Sequence, residues 1–172
     1  MKIVLLGYMA SGKSTIGKQL ASALNFSFLD LDTVIETRTA LPIPELFEKK
    51  GEIFFRKEEH NALKAVLEEE NDVVLALGGG TPCYANNMDL ILEKATQSVY
   101  LLLSIGSLVQ RLQNERASRP LVQHLSEDDL PEFIGKHMFE RRQYYAQATH
   151  TVVCDGKGVE EIVNEILETQ SR

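Results

Sequence analysis

Ile3-Val4-Leu5-Leu6-Gly7-Tyr8-Met9-Ala10-Ser11-Gly12-Lys13-Ser14-Thr15 places two signals back to back near the start of the chain. The run Lys2-Ile3-Val4-Leu5-Leu6 has the composition of a strand buried on both faces, as in a parallel sheet. Gly7 to Ser14 then spells G-x-x-x-x-G-K-[ST] in full. Behind it, Ile16, Leu20, Ala23 and Leu24 recur at helical spacing, which predicts a helix beginning near Lys13. Strand, glycine-containing loop and helix N-terminus, in that order, make a phosphate cradle. Loop N–H groups turn inward around phosphate oxygens, and the helix end adds its partial positive charge. Ala10, Ser11, Gly12, Lys13, Ser14 and Thr15 are the expected contacts, with Lys13 reaching the β- and γ-phosphates and the Ser14 hydroxyl ligating Mg2+. A plain structural glycine turn is the competing reading, and the flanking strand and helix argue against it. The stretch predicts a nucleoside triphosphate site.

The rest of the composition fits an enzyme of this kind. A chain of 172 residues suffices for one domain with a substantial core. Its net charge of -7 argues against a nucleic-acid surface, where a basic stripe is expected. It does not argue against ATP, which needs only a local group of cations such as Arg111, Arg116, Arg119, Arg141 and Arg142. No apolar run is long enough to span a bilayer, and the start lacks a basic region followed by a cleavage site. The expectation is a cytoplasmic protein with neither membrane nor nucleic-acid partner. Cys83 and Cys154 lack metal-ligand spacing and read as small buried residues. His60, His124, His137 and His150 are scattered and read as non-ligands.

Further strands are expected at Phe26–Leu31, Val73–Leu77, Ser98–Leu103 and Thr151–Cys154, and helices at about 43–69, 86–95, 105–112, 127–148 and 158–169. The alternation implies a three-layer α/β/α sandwich around a five-stranded parallel sheet, with the P-loop NTPase fold. Ligands bind at the carboxyl ends of such strands. Three suggestive spots fall there: the phosphate loop, Asp30-Leu31-Asp32 and Gly78-Gly79-Gly80. Residues 32–60 form an extra helical excursion, and residues 112–126, polar and Arg-bearing, read as a lid over bound phosphates.

Asp30 and Asp32, two apart at a strand end, are expected to point to one side. One suits the water shell of Mg2+, and the other suits holding or deprotonating an attacking hydroxyl. The alternative is that one of them caps the helix starting near Thr33. The three glycines permit close approach of backbone and ligand. Arg56, in a charge-dense helical stretch, reads in isolation as a surface ion-pair residue. Arg119, before Pro120, is better placed to meet transferring phosphoryl charge. Arg141 and Arg142 taken alone suggest only a polar helix face.

Together these motifs resemble the shikimate kinases of the nucleoside-monophosphate-kinase-like group, over essentially the full length. The resemblance rests on Gly7–Thr15, Phe28-Leu29-Asp30-Leu31-Asp32, Gly51-Glu52 with Phe55-Arg56 and Glu59, Leu77-Gly78-Gly79-Gly80, Arg119-Pro120-Leu121, and Arg141 with Tyr145. It implies transfer of the γ-phosphate of ATP to the 3-hydroxyl of shikimate, by a monomer. Asp32 would hold the reacting hydroxyl and act as or assist the base, with Asp30 near the Mg2+ water shell. Arg56 and Arg141 would grip the carboxylate, Gly79 would add a backbone contact, Arg119 would be the lid arginine and Arg111 would flank the adenine. Two positions depart from the family pattern. Ala10 replaces a glycine, which requires a negative φ there if the methyl group is to be tolerated. Gln143 replaces a proline, leaving Arg141 and Arg142 as alternatives, of which Arg141 keeps the spacing to Tyr145. A gluconate or nucleoside monophosphate kinase, and a regulator that binds nucleotide without transfer, are the competing functions.

Overall fold

The computed structural model describes residues 1–115 and 121–169. The strands β1 (Lys2–Leu6), β2 (Ser27–Asp30), β3 (Val73–Ala76), β4 (Gln97–Leu102) and β5 (His150–Val153) form a parallel sheet in the order β2-β3-β1-β4-β5. The first strand is the central one because its residues are buried throughout, which only a strand with neighbours on both edges and helices on its faces can satisfy. Leu5 pairs with Ala76 on one side and Val99 on the other. This order sets the loops after β1 and β3 side by side, although some seventy residues separate them in sequence.

The helices are α1 (Lys13–Leu24), α2 (Leu31–Thr39), α3 (Ile43–Glu68), α4 (Asn87–Lys94), α5 (Ile105–Glu115), α6 (Leu130–Tyr145) and α7 (Val159–Thr169). Ile16 and Leu20 of α1, Leu63 and Val66 of α3, Ile134 and Met138 of α6, and Ile162 and Ile166 of α7 join the strand residues in one apolar cluster. Asn25 ends α1 in the left-handed conformation (φ 58°), its N–H bonding the Ala21 and Ser22 carbonyls.

Three differences from the sequence expectation have local causes. Strand β2 stops at Asp30, and α2 starts at Leu31, because Asp30 itself caps the helix by accepting from the Asp32 N–H at 3.1 Å. Helix α3 is broken at Gly51, whose φ of 83° and ψ of 171° are non-helical. The excursion expected at 32–60 is therefore α2 plus a bent α3, packed partly through Phe47 and Phe55, whose ring centroids lie 4.4 Å apart. Helix α6 starts later than expected, at Leu130, after a turn in which the Ser126 hydroxyl donates to Asp129 at 2.6 Å. Cys154 is buried, whereas Cys83 is only half-buried.

Candidate active site

The phosphate loop leaves β1 at Gly7 and enters α1 through Gly12, whose φ of 92° needs a residue without Cβ. Lys13 lies back across the loop, Nζ donating to the Gly7 carbonyl at 2.9 Å and the Tyr8 carbonyl at 2.8 Å. Ser11 is buried, and Ser14 and Thr15 are exposed at the start of α1. Ala10 has φ 62°, in the left-handed region. The expectation of a negative φ there is wrong: the loop keeps the conformation a glycine would adopt, and the alanine methyl is accommodated at some cost in strain.

Asp30 does two things at once. Its Oδ1 caps α2, while Oδ2 accepts from the Ser14 hydroxyl at 2.8 Å. The two aspartates do not share a strand face, as the i, i+2 spacing suggested; Asp32 stands in the first turn of α2, because the cap at Asp30 turns the chain into helix before it. Asp32 as a residue is exposed, yet its carboxyl is pushed up to about 6 by loss of solvent and then by the negative charges of Asp30 and Glu59, against the opposing pull of Lys13. Such a carboxyl sits close to the protonation balance a general base needs near neutral pH.

The Gly78–Gly80 turn explains itself through its neighbours. A Cβ on Gly78 would meet Asp32 Oδ1 at 3.2 Å, one on Gly79 would meet Arg141 Nη1 at 3.2 Å, and one on Gly80 would meet Arg56 Nη2 at 3.1 Å. The three glycines make the room in which Asp32, Arg141 and Arg56 converge beside the phosphate loop. Arg56 is held by Glu59, Nη1 donating to Oε2 at 2.8 Å, and its guanidinium stacks 3.7 Å from the Tyr84 ring centroid. Its Nε is buried without a hydrogen bond, Glu52 Oε1 standing off at 3.6 Å. Arg141 is buried on α6, while Arg142 is exposed, so the geometry puts the former at the glycine turn.

Arg111 reaches the same loop from α5, Nη1 donating to the Ala10 carbonyl at 3.1 Å. Arg116 and Arg119, and the central part of the expected lid, lie outside the described residues. Glu59, present in a quoted motif but given no role by the sequence, is the principal addition. It is almost wholly buried, takes Arg56 on one oxygen and the Thr81 hydroxyl on the other at 2.7 Å, and presses its charge on Asp32. Its i, i+3 spacing from Arg56 was the available signal.

A carboxyl beside a phosphate loop, with two guanidiniums at the same glycine turn, has the chemistry to hold a small hydroxy acid. The family model "Shikimate kinase" matches residues 9–171. The chain belongs to the shikimate kinase family. Among relatives in this family, the shikimate kinase of Flavobacterium johnsoniae is 47% identical over 167 residues, covering 97% of each chain. The crystal structure of the shikimate kinase from Bacteroides thetaiotaomicron superposes with a TM-score of 0.92 at 35% identity, covering 100% of this chain and 99% of that one. The shikimate kinase from Acinetobacter baumannii, solved in complex with shikimate, gives a TM-score of 0.88 at 30% identity over 99% of this chain and 92% of that one. Like these shikimate kinases, the chain is an α/β P-loop kinase, and no helix among the described residues is long and apolar enough to cross a membrane.

Proposed function

We propose that this enzyme transfers the γ-phosphoryl group of ATP to the 3-hydroxyl of shikimate, giving shikimate 3-phosphate and ADP. The observation that carries this reading is the convergence of Asp32, Arg56 and Arg141 on the Gly78–Gly80 turn beside Lys13. Two guanidiniums suit a carboxylate, and the buried Arg56 Nε still lacks an acceptor. With the acid group held there, the ring hydroxyl faces Asp32, which accepts its proton as the O–P bond forms and the bond from the γ-phosphorus to the bridging oxygen of ADP breaks. Lys13 leaves the loop carbonyls for the β- and γ-phosphates, and Arg119 from the lid (about 112–126) meets the developing charge. Ala10, Ser11, Gly12 and Thr15 complete the phosphate contacts, and Gly79 lends its backbone to the acceptor. Arg111 serves the nucleotide side.

The oxygen donors fit a hard divalent cation. The Ser14 hydroxyl and an Asp30 carboxylate oxygen lie 2.8 Å apart, so Ser14 would hold Mg2+ directly and Asp30 would hold it through water. When bound, the ion neutralises phosphate charge. The enzyme works as a cytoplasmic monomer.

The test is ADP release with MgATP and, in turn, shikimate, gluconate, CMP and AMP. Stimulation by shikimate alone, with the phosphorylated product seen by mass spectrometry, is expected. Stimulation only by another acceptor, or by none, would sink the reading.

A further inference from the structure

Tyr8 occupies the first variable position of the phosphate loop, yet its side chain is turned inward against α6. It is almost wholly buried, and its hydroxyl lies 2.9 Å from Nδ1 of His137 on α6. The two rings meet edge to face with centroids 5.4 Å apart, and the imidazole also packs on Phe133, with centroids 5.3 Å apart. One helical turn further along α6, the Arg141 guanidinium carbon lies 5.7 Å from the Tyr8 ring centroid. A turn beyond that, the Tyr145 hydroxyl donates to the Gly79 carbonyl at 2.5 Å. Residues 137, 141 and 145 are spaced by four and so share one face of the helix. Arg141 thus sits between two attachments of α6, one to the phosphate loop and one to the glycine turn.

A long arginine side chain gains most from being held in place before its ligand arrives, because its rotamer freedom is otherwise lost on binding. Burial, and then the charge of Arg141, push the His137 imidazole down to about 4, so it is neutral at pH 7 and adds no like charge beside the guanidinium.

We propose that Tyr8 and His137 are positioning residues that tie α6 to the phosphate loop and hold Arg141 in register for the acceptor carboxylate. Acceptor affinity thereby depends on a side chain of the nucleotide loop that touches neither substrate. This rests on the acceptor reading above.

The test is steady-state kinetics of the whole enzyme, varying ATP and shikimate separately, for Tyr8→Phe, His137→Leu and His137→Asn, with thermal melts alongside. Tyr8→Phe and His137→Leu are expected to raise the KM for shikimate about 5- to 20-fold while leaving that for ATP within about twofold. His137→Asn, whose amide can stand near the Nδ1 position, is expected to recover most of the loss. The double variant Tyr8→Phe/His137→Leu should be no worse than His137→Leu, since both remove one bond. Wild-type turnover with an unchanged shikimate KM in Tyr8→Phe and His137→Leu overturns this inference alone. So do parallel rises in both KM values that track a fall in melting temperature. No shikimate-dependent turnover by the wild type overturns the acceptor reading, and the inference with it.

Discussion

Arg56 donates through Nη1 to Glu59 at 2.8 Å, and the carboxylate that receives it is almost wholly buried. The pair ties Glu59 to both Arg56 and Asp32, since it holds the guanidinium and burdens the Asp32 carboxyl with negative charge. Glu59→Gln preserves the shape while removing the charge, and its single acceptor oxygen can serve only one of Arg56 and the Thr81 hydroxyl. It should raise the KM for shikimate about tenfold, because Arg56 loses its ion pair and competes with Thr81 for one acceptor. An unchanged KM would show that Arg56 needs no such support.

Asp32→Asn should lower kcat about 10²–10⁴-fold if the carboxylate takes or positions the hydroxyl proton. Single-turnover rates with saturating MgATP and shikimate would read this directly. A loss of less than threefold removes Asp32 from the role.

The same group predicts two pH effects. With its pKa raised to about 6, Asp32 is ionised and competent only above that value, so kcat/KM should fall as pH drops through about 6. Glu59→Gln should move this acid limb to lower pH. For stability the sign is opposite. A folded-state pKa above the unfolded one means that the native protein binds more protons, so stability from this group is full below the unfolded value and is lost as pH rises through about 6. Asp32→Asn should therefore raise the melting temperature more at pH 8 than at pH 4, and an equal gain at both would contradict the shift.

Ala10→Gly should stabilise the fold. Relief of the left-handed strain at φ 62° outweighs the greater chain entropy of glycine in the unfolded state. The expected net gain is about 0.5–1 kcal/mol, or a rise of about 1–3 °C in Tm for a domain of this size. A lower Tm in the variant would mean that the alanine methyl contributes packing that exceeds its strain.

Arg141→Ala should raise the KM for shikimate at least about tenfold, whereas Arg142→Ala, at an exposed position, should change it less than about twofold. The reverse pattern would assign the acceptor to the neighbouring arginine.

Most of the fold was legible because it is written in local pattern. Each strand was placed within a residue or so, and the loop Gly7–Thr15 carried its own context. The errors lie where side chains, rather than periodicity, decide the backbone. Asp32 looked like a strand residue because the cap at Asp30 that starts α2 is a single hydrogen bond. Ala10 looked incompatible with positive φ because the sequence does not show that the whole loop imposes it. Tyr8 and His137 were unreadable as a pair, being 129 residues apart in the chain. Of the site, Arg56 in isolation suggested a surface ion pair; it does pair with Glu59, but inward, at the Gly78–Gly80 turn.

The strand order has a consequence for how the enzyme comes into being. β1 carries the entire phosphate loop into position, but its partners β3 and β4 begin only at Val73 and Gln97, and Arg141 follows later still. A nascent chain that has just emerged beyond α1 holds the phosphate loop but neither the strands that flank it nor the later arginines. On the roles proposed above, Arg111 and Arg119 complete the nucleotide side and Arg141 the acceptor side, so both are finished only in the last half of the polypeptide.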